Sequence, residues 1–106
     1  MTELLTRFIN RISFDSYADF RENYRLDCPE TFNFAVDVVD AWAEAEPDKT
    51  ALVWCNDDGE EKTFTFSDIS LLSRRAAAWL RAQGVRRGDR VMVLLKRRWE
   101  IGRAHV

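Results

Sequence analysis

One short run constrains this chain more than anything else in it. Arg90-Val91-Met92-Val93-Leu94-Leu95 is rich in strand formers and apolar at odd and even positions alike. Such a strand has no face to turn towards water, so it belongs inside a sheet with helices covering both sides. Only Lys96 to Glu100 and a tail from Ile101 to Val106 follow it. Those residues cannot cover both faces. The sequence is therefore expected to open a larger protein, with its sheet left incomplete.

The elements that precede the run predict an α/β fold. Phe14, Tyr17, Phe20 and Tyr24 recur at helical spacing, which predicts a helix over about 14–24. Cys28-Pro29 breaks it, because a residue before proline is pushed away from helical dihedrals. Asn33 can cap a second helix, whose inner stripe is Phe34, Ala35, Val38, Val39 and Trp42. Asp37, Asp40 and Glu44 fall on its polar face, and Glu46-Pro47-Asp48 ends it. Thr50 to Cys55 and Thr63 to Phe66 then read as strands, joined through Asn56-Asp57-Asp58-Gly59-Glu60-Glu61. The Asp-Gly pair in that connection signals a hairpin.

Ser67 reads as the N-cap of a third helix, with Asp68 in its first turn favouring the helix dipole. Its inner stripe is Ile69, Leu72, Ala76, Trp79 and Leu80, and Gly84 sits where a left-handed residue closes a helix. Arg86-Arg87-Gly88-Asp89 turns the chain into the run at 90–95. Strand, helix and strand in this order make a βαβ crossover. That places 63–66 and 90–95 parallel in one sheet.

Composition removes several classes of function. Apolar residues make up 46% and aromatic residues 12%, which is globular rather than disordered. The net charge of −2 gives no overall field favouring nucleic acid. Charge is unevenly spread: seven Lys/Arg lie between Arg86 and Arg103, and eleven Asp/Glu against one Lys between Asp27 and Glu61. Such runs read first as solvated faces. Cys28 and Cys55 are too few for a disulfide framework and have no metal spacing, so they are expected to be half-buried apolar residues. The N-terminus lacks a basic, apolar and small-residue leader, and no run approaches the ~20 apolar residues of a membrane span. A cytoplasmic protein is the resulting expectation.

A search for catalytic chemistry finds none of its usual arrangements. The single histidine, His105, lies in the tail. Gly59, Gly84, Gly88 and Gly102 are scattered and form no phosphate-binding loop. Ser67, Ser70 and Ser73 sit at a helix start, where capping accounts for them. Asn56, Asp57 and Asp58 lack the further acceptors of a calcium loop, so turn chemistry accounts for them as well. Glu60-Glu61 is a surface pair. Lys96-Arg97-Arg98 follows the C-terminal end of a predicted parallel strand, a position where open α/β sheets bind ligands. It reads more simply as a loop leading onward. Trp99 beside it is one aromatic, too little for a nucleic-acid platform. The expected catalytic, cofactor-binding and metal residues are therefore none.

From Tyr24 to Glu100 the chain resembles the opening of the adenylate-forming (AMP-binding) acyl-CoA synthetases. Four blocks carry the resemblance in order. They are Phe32-Asn33-Phe34-Ala35-Val36-Asp37-Val38-Val39-Asp40-Ala41-Trp42-Ala43, Ala51-Leu52-Val53-Trp54, Phe64-Thr65-Phe66-Ser67-Asp68-Ile69-Ser70, and Gly84-Val85-Arg86-Arg87-Gly88-Asp89 running into Arg90 to Leu95. The first block is most similar to the medium-chain acyl-CoA synthetase and acetyl-CoA synthetase branch. Lys96 stands where many relatives have proline, which leaves the branch open. Glu100-Ile101-Gly102-Arg103-Ala104-His105-Val106 departs from the family and resembles the translation of a common sequencing adapter.

The resemblance implies three segments: a helical lead-in over 1–27, the start of the adenylate-forming domain over 28–100, and a non-native tail over 101–106. It implies an acid–thiol ligase. A carboxylate attacks the α-phosphate of MgATP to give an acyl-adenylate, and coenzyme A then displaces AMP as a thioester forms. ATP, Mg²⁺ and coenzyme A are the implied cofactors and a small carboxylate the implied substrate, with no nucleic acid and no membrane span. The family's phosphate loop, its Tyr-Gly-x-Thr-Glu segment, its ribose-binding Asp and its mobile Lys have no counterpart here, so no catalytic residue carries over. This chain by itself is expected to be inactive. The alternative is a self-standing interaction module that uses an exposed sheet edge or the basic 86–98 stretch.

Overall fold

The computed structural model describes residues 2–96, 98 and 99. The chain forms two compact units, divided after Asn33.

In the first unit two short helices, α1 (Thr2–Leu5) and α2 (Tyr17–Asn23), flank a small antiparallel bridge between Ile9 and Leu26. Helix α2 is shorter than the aromatic spacing predicts. Ser16 sets its start, because its Oγ accepts from the Asp19 N–H at 3.1 Å. Phe14 consequently lies before the helix, yet it packs edge-on against Phe20, with ring centroids 5.2 Å apart. Phe20 in turn lies 5.1 Å from Tyr24. Tyr17, on the same predicted stripe, is 77% exposed. Asn10 ties the two arms of the bridge, accepting from the Arg25 N–H at 2.9 Å and donating to the Asn23 carbonyl at 2.6 Å.

The second unit opens with a helix of two parts. Helical dihedrals begin at Phe34, directly after Asn33, with φ −54° and ψ −41°. A π-helical stretch over Ala35–Asp40 then runs into α3 (Ala41–Ala45). A π-turn bonds i to i+5 rather than i to i+4, so side chains rotate off the stripe that α-helical spacing predicts. Val39 and Trp42 stay buried, but Phe34 is left exposed. Asp40, on the predicted polar face, turns inward until it is half-buried. Glu46 leaves helical space at φ −142° and ψ 73°, ahead of Pro47.

Strands β1 (Thr50–Cys55) and β2 (Glu61–Thr65) form the predicted hairpin, with Leu52 opposite Phe64 and Trp54 opposite Lys62. A bulge between Thr50 and Leu52 shifts the register. The turn is organised by Asn56, whose Oδ1 accepts from the backbone N–H groups of Asp58 (3.1 Å) and Glu60 (2.9 Å).

Helix α4 (Phe66–Ala82) begins earlier than predicted, and Phe66 belongs to it rather than to β2. The cap is Thr65, not Ser67. Thr65 Oγ1 accepts from the Asp68 N–H at 3.1 Å, and Asp68 Oδ2 accepts from the Thr65 N–H at 2.9 Å. This reciprocal box fixes the start. The next two free N–H groups, of Phe66 and Ser67, donate to the carbonyls of Lys49 (3.0 Å) and Pro47 (3.1 Å). At the far end Gly84 takes φ +88°, as its position predicts. Its N–H reaches the Arg81 carbonyl, and that of Val85 reaches Leu80. Those two bonds are a Schellman closure.

The core of the second unit is the face of α4 laid on the preceding helix, with Val39, Trp42 and Ile69 buried. The Trp42 ring stacks on Phe66 at 5.6 Å, and Lys49 Nζ lies 4.9 Å above Trp42. Trp79, predicted for the inner stripe, is exposed. It lies near the end of α4 that borders residues 91–95, beyond the part of the helix packed on the core.

The α/β class therefore holds as a mixed helix-and-strand fold, but the crossover does not close. Residues 90–95 form no ladder with any described segment, and Met92 and Leu94 are 82% and 85% exposed. A strand needs a neighbour for its backbone N–H and C=O groups. Here β1 and β2 pair only with each other, as the one described sheet. Both cysteines are exposed rather than half-buried. Cys55 falls on the outer face of β1 with Val53, while Leu52 and Trp54 turn inward. Cys28 sits in the loop before Pro29. The tail at 101–106 lies outside the described residues.

Two predictions come from these local structures. Thr65→Ala removes one arm of the capping box and should cost about 1 kcal/mol in chemical denaturation, and Gly84→Ala should cost about as much through its positive φ. Asp19 in the first unit accepts from the Asp15 backbone N–H and the Asn23 amide and pairs with Arg11. These contacts, the backbone bond foremost, hold its carboxyl below the usual aspartate range. A depressed pKa gives a contribution that is present above the unfolded value and lost as pH falls through the folded one. An NMR titration should therefore find Asp19 titrating at lower pH than an ordinary aspartate, and Asp19→Asn should remove that acid-sensitive contribution.

Candidate functional site

Several of the described polar residues hold the chain's own turns and helices together. Asp57 and Asp58 lie in the Asn56 turn, and Glu60 Oε2 accepts from Asn56 Nδ2 at 2.6 Å. Glu61 pairs with Cys55 in the hairpin ladder. Among the described residues no three of His, Cys, Asp and Glu come together in a way that could hold a metal ion. The serines separate by role. The Ser67 N–H is bound to the Pro47 carbonyl, while Ser70 makes a polar contact between helices.

That contact escapes the sequence reading, which puts Asp40 on a solvated face. Ser70 is 6% exposed, and its Oγ donates to Asp40 Oδ1 at 2.5 Å, joining α4 to the π-helical stretch. Arg74, one turn further along α4, approaches the other oxygen of Asp40 at 3.9 Å. The guanidinium is largely exposed, so water screens that pairing and its worth is about 1 kcal/mol at most. The buried hydroxyl dominates. The only sequence signal for the contact was a polar residue, Ser70, directly after Ile69 at the start of an apolar stripe.

Beside Trp42, Lys49 Nζ lies 3.1 Å from the buried Oε2 of Glu46, in an ion pair outside hydrogen-bond alignment. This cluster covers the Trp42 ring and the entry to β1. It is a packing device: the lysine spans a carboxylate and an aromatic face at once.

The basic stretch after the 90–95 run divides. Lys96 and Arg98 are exposed, and Arg97 lies outside the described residues. Trp99 does not stand free beside these cations. Its ring lies 5.1 Å from Phe64 of β2, with Lys62 Nζ 4.6 Å above it. It thus packs on the hairpin instead of offering a stacking face. His105 also lies outside the described residues.

An open groove of about 1530 Å³ lies between α4 and residues 85–95. Leu72, Ala76, Trp79 and Leu80 form one wall, Val91 to Leu95 the other, and Arg75, Arg81, Arg86 and Arg87 border it. Asp89, also in the lining, is engaged locally: its Oδ2 accepts from the Arg86 N–H at 2.7 Å. The groove brings an apolar surface and cations together. It brings no nucleophile beside a base.

The start of α4 and the described glycine turns do not form a phosphate cradle. Helix N-termini bind phosphate through free N–H groups, and those at the start of α4 are already bonded to Thr65, Lys49, Pro47 and Asp68. Gly59, Gly84 and Gly88 serve three separate turns.

The Ser70–Asp40 bond leads to a direct expectation. Ser70→Ala should lower stability by about 2 kcal/mol in denaturant titration, since a part-buried carboxylate loses its hydroxyl donor. Asp40→Ala should cost a similar amount. The double variant should cost clearly less than the sum, and simple additivity would refute the coupling.

Comparison with known proteins gives a consistent result. Residues 39–104 match the family described as AMP-binding enzyme. The chain is 38% identical over 91 residues to the human acyl-coenzyme A synthetase ACSM3, mitochondrial, covering 80% of this chain and 16% of that protein. It is 41% identical over 88 residues to human acyl-coenzyme A synthetase ACSM4, mitochondrial, covering 76% and 15%. With the rat acyl-coenzyme A synthetase ACSM5, mitochondrial, identity is 43% over 75 residues, covering 65% and 13%. The chain therefore spans about a sixth or less of the length of these curated relatives. Their mitochondrial names overturn the cytoplasmic expectation. That expectation rested on excluding a secretory leader and a membrane span, which does not choose among aqueous compartments. No helix among the described residues is long and apolar enough to cross a membrane.

Proposed function

This chain belongs to the AMP-binding enzyme family, and from that membership we propose that it is the N-terminal part of an ATP-dependent acyl-CoA synthetase. The enzyme activates a carboxylic acid, in the fatty acid class, as an acyl-adenylate and then releases an acyl-CoA thioester. ATP, Mg²⁺ and coenzyme A are its co-reactants. The observation that carries this reading is the match over 39–104, joined to relatives that are all named acyl-coenzyme A synthetases.

In this reading residues 28–100 are scaffold, residues 1–27 a lead-in and 101–106 a foreign tail. The reaction is carried by residues outside the chain. Support comes from how the chain's polar groups are used: the N–H groups at the start of α4 are bonded internally, and Ser70 is committed to Asp40. The family match also weighs against a self-standing interaction module, since it runs through the 86–98 stretch on which that alternative depends.

The test is carboxylate-dependent exchange of radiolabelled pyrophosphate into ATP. A full-length product beginning with this sequence should catalyse exchange with at least one member of a panel of short- to long-chain carboxylates, and form the corresponding thioester with coenzyme A. Inactivity of a folded full-length product across the panel would overturn the proposal.

A further inference from the structure

We draw no further inference here: the strongest candidate, the arginine-bordered apolar groove between α4 and residues 85–95, carries nothing because no observation in the structure shows what covers it.

Discussion

The second unit depends on one packing contact, the face of α4 against the Val39–Trp42 face of the helix before it. Everything else there is arranged around keeping those surfaces in register. Trp42 fills the space beneath Phe66, so the first residue of α4 is fixed by a ring stack as well as by its cap. Ser70 reaches Asp40 across the same interface. The carbonyls of Pro47 and Lys49 accept the N–H groups of Ser67 and Phe66, which anchors the start of α4 to the loop that enters β1. A helix start is normally left to its own side chains or to water. Here the neighbouring loop satisfies it, so helix, loop and hairpin are joined at one place.

This arrangement explains why the interior is thin. Among the described residues few side chains are withdrawn from water, and the apolar surfaces of Trp79, Met92 and Leu94 remain outside it. Burial of a large apolar side chain contributes about 1.5–3 kcal/mol, so surfaces left uncovered are a sizeable part of what this sequence has to offer a fold. The feature that constrains the sequence most, a strand apolar on both faces, is the same feature that finds no ladder in the structure. Its composition asks for cover and for paired neighbours, and the described residues provide neither.

What could be read from the sequence was local. The hairpin was legible because Asp58-Gly59 sits between two runs of strand formers, and Gly84 because only a left-handed residue closes α4 in that way. Family membership was legible because four blocks appear in order, and it holds. Contacts that depend on how one helix turns against another were not legible. α-Helical spacing puts Asp40 on a polar face, and the π-helical stretch rotates it inward to meet Ser70. Thr65 alternates with Phe64 and Phe66 and so reads as strand, and only the return bond from Asp68 shows where the helix starts. The compartment is not legible for a different reason: composition names no destination among aqueous compartments, and the relatives are named mitochondrial.

This chain belongs to the AMP-binding enzyme family, and the proposal that it contributes no nucleotide site of its own is open to a direct test. The most direct measurement is a titration of the 106-residue chain with MgATP, followed by backbone amide chemical shifts. The account predicts no saturable shift at Lys49, Phe66, Ser67 or Asp68, or at the glycine turns of residues 59, 84 and 88. Saturable shifts clustered at the start of α4 or in those turns would contradict it.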